Sequence, residues 1–287
     1  MIRPTILVIG ANGQLGFELS RLLPEHGEVT ALDRSQLDLA DADAIRATLR
    51  SHRPALIVNA AAYTAVDKAE QEREVADAIN ARAPGILAEE AKKLDALLVH
   101  YSTDYVFDGT AKAPYTEDAP VNPISVYGAS KLSGEQAVAA SGCRYLVLRT
   151  SWVYGLRGHN FLVTIRRLAR ERDELRIVAD QFGVPNWSRA LAEATTALLG
   201  RGLSALRERA GLYHLSARGS TSWFEFARAI IGSVDKPRVL PIATTEYLTA
   251  ARRPAYAVLD SGKLERVFGL TLSGWRETLA RCLANAA

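Results

Sequence analysis

Tyr127 and Lys131 stand four residues apart in the run Val126-Tyr127-Gly128-Ala129-Ser130-Lys131. A phenol loses its proton only at about pH 10, too high for ready exchange near neutrality. A cation held beside it favours the phenolate and lowers that value. Positions i and i+4 share one helix face, so Lys131 can reach the side of Tyr127. Upstream, Gly10-Ala11-Asn12-Gly13-Gln14-Leu15-Gly16 has the spacing G-x-x-G-x-x-G. Glycines so placed allow a tight turn, close approach of backbone to a pyrophosphate, and close packing of a helix on a strand. The helix that follows offers free N–H groups to an anion. An acid of adjustable strength and a dinucleotide-type turn together point to hydride transfer with proton donation to a carbonyl oxygen.

Other residues fit around that pair. Asp33 ends an apolar run, roughly where an acid binds the adenosine ribose, and Arg34 follows, where a cation could accept a 2′-phosphate. The two side chains point to opposite cofactors. Asp38 and Leu39 could sit beside the adenine. Asn59-Ala60-Ala61-Ala62-Tyr63-Thr64 offers small side chains for close passage over a flat cofactor. Ser102-Thr103-Asp104-Tyr105 leaves a strand at its carboxyl end, the edge at which open parallel sheets bind ligands. A hydroxyl at Thr103 could bond a substrate carbonyl more strongly as negative charge develops there.

These residues need a scaffold of alternating strands and helices. Short apolar runs at Thr5–Ile9, Glu28–Leu32, 55–61, 96–100 and 145–150 read as buried parallel strands. Leu15, Leu19 and Leu22 form a helical stripe that stops at Pro24. Residues 41–50 read as a helix capped by Asp41, residues 67–94 as mostly helical with an interruption near Pro84, and residues 125–140 as the helix carrying Tyr127 and Lys131. The alternation predicts an α/β fold, a doubly wound Rossmann-type parallel sheet. After residue 150 the rhythm loosens, which predicts a smaller, interleaved α/β substrate lobe. The expected division is 1–155 with 187–216 for the nucleotide domain, and 156–186 with 217–287 for the substrate lobe.

Composition excludes several classes. The chain has 287 residues, 48% of them hydrophobic, which is enough for a large core. Its 35 basic and 32 acidic residues leave a net charge of +3, too balanced to imply nucleic acid. Arg166, Arg167, Arg170 and Arg172 read as a solvated helix face. Cys143 and Cys282 lack metal-ligand spacing, and a reducing compartment suits them. No apolar run approaches the roughly 18 residues needed to span a bilayer. A cytoplasmic protein is expected, with no membrane partner.

The set Gly10, Gly13, Gly16, Asn59-Ala60-Ala61-Ala62, Thr103 and Tyr127-x-x-x-Lys131 resembles the extended short-chain dehydrogenase/reductase family. Further stretches resemble its branch that reduces dTDP-4-dehydro-β-L-rhamnose: Val58 to Glu70, His100 to Phe107, Arg149 to Tyr154, Asn160-Phe161, Asp180 to Gly183, Gly211 to Leu215 and Arg253-Pro254. The likeness spans nearly the whole chain. It implies that NADPH or NADH gives hydride to C4 of dTDP-4-dehydro-β-L-rhamnose, in activated-rhamnose synthesis for surface polysaccharide such as lipopolysaccharide O-antigen. Tyr127 is then the proton donor, Lys131 depresses its pKa and holds the nicotinamide ribose, and Thr103 binds the C4 oxygen. The cofactor residues it implies are Gly10, Asn12, Gly13, Gln14, Leu15, Gly16, Asp33, Arg34, Asp38, Leu39, Ala61, Ala62, Tyr63, Thr64, Tyr101, Tyr127 and Lys131. The substrate residues are Thr103, Asp104, Tyr105, Trp152, Asn160, Gln181 and Arg253. Tyr105 stands where the family's dehydratases carry a working glutamate, which argues against elimination of water. Some members bind magnesium at a dimer interface through glutamates, but Arg189 takes one of those positions here, so no metal is expected; a homodimer stays open. The competing readings are a sugar-nucleotide epimerase or dehydratase that retains its NAD, and a non-catalytic NADP-binding regulatory subunit.

Overall fold

The computed structural model describes residues 3–232 and 237–286. Its centre is a six-stranded sheet built from β1 (Thr5–Ile9), β2 (Glu28–Leu32), β3 (Leu56–Asn59), β4 (Leu97–Thr103), β5 (Arg144–Thr150) and an edge strand, Gly211–His214. The spatial order is β2-β1-β3-β4-β5-edge, and every pairing is parallel. The chain therefore reverses direction across the sheet between β1 and β3, and ligands of such sheets bind at the carboxyl ends beside that reversal.

Both faces of the sheet are dry. Ile6 and Val8 of β1 pack with Leu56, Val58, Leu97 and Val99 on one side, together with Leu191 and Leu198 from the helix Ser188–Leu199. Leu7 and Ile9 pack on the other with Ile57, Leu98, Ile45, Leu49 and Leu87. Alternation along a strand would leave one face polar if only one were covered, so the unbroken apolar runs follow from helices on both sides. Asp41 caps the helix Ala42–His52 by accepting from the N–H groups of Asp43 and Ala44, as its position ahead of an apolar period predicts.

The expected interruption at Pro84 takes a different form. The chain runs helically from Arg73 to Leu94, and the turn ahead of the proline, Ala78–Arg82, widens to a π-helix. Proline lacks the N–H that an α-turn needs, and widening accommodates that loss without ending the helix. The break lies earlier, between the short helices Val66–Ala69 and Arg73–Asp77. The π turn places Asn80, which is buried, so that its amide accepts from Tyr63 N and donates to Tyr63 O and Ser130 Oγ.

The remaining chain forms a second core around Tyr154, Leu162, Ile165, Trp187, Phe226, Ile230 and Trp275, beside a parallel strand pair, Glu174–Val178 with Arg238–Ile242. Leu264, Phe268 and Leu272 depart from the expected division, since they pack into the core of the large sheet. The expected limits at residues 1 and 287 lie outside the described residues, as do residues 2 and 233–236 within the expected domains.

Candidate active site

A cleft of about 500 Å³ opens at the carboxyl ends of β1 and β3, beside the reversal of the sheet. Its first wall is the glycine turn. Gly10 has φ +90°, and a Cβ on Gly16 would lie 2.0 Å from the carbonyl oxygen of Gly10. Only a residue without a side chain lets the helix Gln14–Leu22 start this close to β1. Gly13 supplies that helix with no side-chain cap, so its first N–H groups stay available to an anion. Gly10, Asn12, Gly13, Gln14 and Leu15 line the cleft, while Gly16 supports it from beneath.

The end of the cleft where adenosine is expected is lined by Asp33, Arg34, Asp38 and Leu39, with Leu37 beside them. Asp33 accepts from the N–H and hydroxyl of Ser35 and from Asn12 Nδ2 at 2.6 Å. The Ser35 hydroxyl, followed by its N–H, holds the Asp33 carboxyl below the usual range, so it is an anion at neutral pH. The middle of the cleft is walled by Ala61, Ala62, Tyr63 and Thr64, and the far end by Tyr101, Tyr127 and Lys131. The glycine cradle, the free helix end and the Asp33 acceptor fit a dinucleotide along this cleft.

Tyr127 and Lys131 ride on the helix Val126–Ala140, capped by Ser125 Oγ through Gly128 N. Gly128 lets this helix dock, since a Cβ there would lie 2.2 Å from Tyr105 O. The docking brings the Tyr127 phenol to the Thr103 side chain, close enough for that group to bear on its titration. Thr103 Oγ1 in turn donates to Asp104 Oδ1 at 3.0 Å and accepts from Tyr105 N. Asp104 is buried and its Oδ2 has no partner. Burial pushes its carboxyl up to about 7, against the opposing effect of the Thr103 hydrogen bond.

The structure differs here from the expected tuning of the tyrosine. Burial pushes Tyr127 up to about 12, the Thr103 side chain opposes this, and the Asp104 charge adds to it. The ring as a whole is only half-buried, but the enclosed hydroxyl end governs the titration. Lys131 Nζ is turned to the carbonyl of Tyr101 at 2.6 Å and to His100 Nε2 at 3.3 Å. Burial lowers Lys131 to about 8, with the Glu135 charge opposing. A phenol lowered by a neighbouring ammonium is therefore not the arrangement in this structure.

The expected substrate residues fall into two groups. Thr103, Asp104 and Tyr105 gather at the end of β4, and the Tyr105 ring meets Tyr127 edge-on at 5.8 Å. Arg253 joins them, since its charge bears on Tyr105 while its guanidinium pairs with Asp67. Trp152 is held in a left-handed conformation at φ +43°, stacked on Trp223 at 3.5 Å and pressed against Gly183. Asn160 and Gln181 lie elsewhere. Asn160 is buried; its amide donates to Gln14 Oε1, Gly155 O and Arg157 O and caps the helix Phe161–Glu171. Its polar atoms are thus occupied within the protein, in contrast to the expected substrate contact. Gln181 is buried and donates to Thr244 Oγ1 in the second lobe. Arg189 bridges Glu18 and Glu193. Among the described residues, no three His, Cys, Asp or Glu side chains cluster as a metal site.

Sequence reasoning missed Ser102, Thr150, Val153 and Ile79 in the cleft wall. The first three stand at or just beyond the carboxyl ends of β4 and β5, where the sheet rule could have found them. Ile79 rides on the π turn, which no periodicity announced.

The chain matches, over residues 4–287, the family described as RmlD substrate binding domain. It is 46% identical to a dTDP-4-dehydrorhamnose reductase of Burkholderia thailandensis, covering 98% of each chain. It is 41% identical to a dTDP-4-dehydrorhamnose reductase of Escherichia coli, covering 97% of this chain and 96% of that one. A solved dTDP-4-dehydrorhamnose reductase from Bacillus anthracis, in complex with NADP, superposes with a TM-score of 0.93 at 38% identity, over 99% of this chain and 100% of that one.

Proposed function

This chain belongs to the RmlD substrate binding domain family, and from that premise we propose that it reduces the C4 keto group of dTDP-4-dehydro-β-L-rhamnose to dTDP-β-L-rhamnose, with NADPH or NADH as reductant. The observation that supports this most is the meeting of Tyr127 and Thr103 at one end of a cleft whose other end is the Gly10–Gly16 turn. When bound, the reduced nicotinamide supplies the hydride. The chain's own groups do the rest. The N–H groups at the start of the helix Gln14–Leu22 hold the pyrophosphate, and Asp33 accepts from the adenosine ribose. Thr103 donates to the carbonyl oxygen as charge builds there, and Tyr127 gives that oxygen its proton. Asp104, Tyr105 and Arg253 orient the sugar nucleotide, with Trp152 against its far side.

A dehydratase needs a carboxylate beside the sugar, and Tyr105 presents a phenol against Tyr127. This favours the reductase over its NAD-retaining relatives. An intact Tyr127, Thr103 and Lys131 favours an enzyme over a regulatory subunit. Two lobes, with Leu264 to Leu272 assigned to the sheet lobe, and a cytoplasmic setting that keeps buried Cys143 and Cys282 as thiols complete the proposal. No helix of the described residues is long and apolar enough to cross a membrane. The test is to mix the protein with dTDP-4-dehydro-β-L-rhamnose and NADPH or NADH and follow nicotinamide absorbance. Oxidation with at least one cofactor is expected; none with either would end the proposal.

A further inference from the structure

Behind Lys131 lies a short chain of buried polar groups whose hydrogens can be assigned by elimination. Asn59 and His100 are both 0% exposed, and Lys131 is 2% exposed. The backbone N–H of Ala61 donates to Asn59 Oδ1 at 3.2 Å. A backbone N–H can only donate, so the amide atom facing it is the oxygen. The amide nitrogen, Nδ2, therefore faces His100 Nδ1, at 3.1 Å. Nδ2 has hydrogens to give and no lone pair to offer, so Nδ1 accepts and carries no proton. Complete burial keeps His100 neutral. A neutral imidazole with a bare Nδ1 carries its proton on Nε2. That Nε2 lies 3.3 Å from Lys131 Nζ.

An ammonium has three hydrogens and nothing to accept with, so it cannot receive the Nε2–H; an amine can. The amine's directions are then all assigned. Its lone pair faces His100, one hydrogen goes to Tyr101 O at 2.6 Å, and one hydrogen is left. We infer that His100, oriented by Asn59, is a positioning residue: it favours Lys131 as the neutral amine and leaves a single N–H to point into the cleft. The kinetic part of this inference rests on the reductase reading, whereas the proton assignment does not.

The other groups that face Lys131 are few. Tyr127 and Glu135 lie on its own helix, and Glu135 favours the ammonium. That carboxylate is engaged by Arg149 of β5 in a two-pronged pair at 2.7 and 2.9 Å, which weakens its hold on the lysine. His100 and the Tyr101 carbonyl face it from β4. Glu135 thus favours the charged form of Lys131, and His100 the neutral one.

Histidine-selective 15N NMR and lysine-selective NMR of the whole protein, from about pH 6 to about pH 9, test this without turnover. In the wild type, His100 is expected to hold its proton on Nε2 throughout; a proton on Nδ1 would overturn the inference. Asn59→Asp replaces the amide donor with an acceptor, so the ring should move its proton to Nδ1 and offer Nε2 to the ammonium. The Lys131 midpoint should then rise by about 1–3 pH units, and the break in kcat/KM should move with it. An inverted ring with an unmoved Lys131 midpoint would also overturn it. Should Asn59→Asp fail to fold, His100→Gln is expected to raise the midpoint in the same sense, its amide oxygen accepting from the ammonium. A wild type that oxidises neither NADPH nor NADH in the presence of the keto-sugar sinks the reductase reading and leaves the proton assignment standing.

Discussion

Arg253 Nη2 lies 2.6 Å from Asp67 Oδ2, tying the segment after β3 to a loop some 186 residues later. The N–H of Ala251 also donates to Asp67, at 3.0 Å, so one carboxylate sets both the place of that loop and the aim of its guanidinium. The clasp holds Arg253 where its charge bears on Tyr105.

Asp67→Ala should therefore act on substrate binding more than on stability. The pair is partly exposed, and such pairs contribute roughly 0–1 kcal/mol. Steady-state kinetics should show KM for the sugar nucleotide rising about 10-fold with kcat changed by less than about 3-fold. A loss confined to kcat would show that Arg253 needs no such aim.

Tyr127→Phe removes the hydroxyl proposed as proton donor while the ring and its edge-on contact with Tyr105 remain. Turnover should fall roughly 10²-fold or more, with cofactor affinity nearly unchanged. Fluorescence titration with NADPH separates the two effects, and unchanged turnover would remove Tyr127 from the mechanism.

Gly128→Ala sets two effects against each other. Alanine is the better helix former by about 0.5–1 kcal/mol. The added Cβ, however, would meet Tyr105 O at 2.2 Å, and overpacking of this kind costs roughly 1–3 kcal/mol. The clash should win. Denaturant unfolding should show net destabilisation, and turnover should fall as Tyr127 is lifted from Thr103. A more stable and fully active variant would contradict this docking.

Asp104→Asn should change how stability depends on pH. The folded carboxyl is raised to about 7 by burial, above its unfolded value of about 3.9. The native state thus binds the extra proton between those values, and its stability falls as pH rises through that window. Below it both states are protonated and nothing is lost; above about 7 the full penalty of the buried charge is present. The variant should flatten this slope and stabilise the protein at pH 8 by roughly 1–3 kcal/mol. Thermal melts at several pH values give the answer; equal slopes would mean that Asp104 is ionised throughout.

Asp33→Ala should harm NADH use more than NADPH use, because the carboxylate is proposed to accept from a ribose hydroxyl and would oppose a phosphate there. The ratio of kcat/KM values should shift roughly 10-fold toward NADPH. An equal loss would show that Asp33 does not touch the ribose.

Much of this protein was legible in one dimension. Residue types alone located five of the six parallel strands, the Asp41 cap, the glycine turn and the Tyr127–Lys131 helix, because each is a local signal: an apolar run, a cap, or a spacing. Most residues expected to meet the cofactor were placed on the cleft wall for the same reason, since they sit directly after a strand. The role of Asn160 was not legible, because an asparagine ahead of an apolar helix looks alike whether it caps that helix or faces a ligand. The π turn at Ala78–Arg82 was also hidden, since its cause is shared between Pro84 and packing against a distant helix.

What the chain determined by itself is therefore the set of reactive groups and the alternating frame that carries them. Their protonation was decided only by the fold. Local spacing puts an amine within reach of a phenol, but a proton's position depends on burial and on which lone pairs converge from other strands. Asn59, His100 and Lys131 come from three separate elements, and Thr103, Asp104 and Tyr127 from β4, the turn after it and a helix. No reading along the chain brings such groups within hydrogen-bonding distance; closing the parallel sheet does.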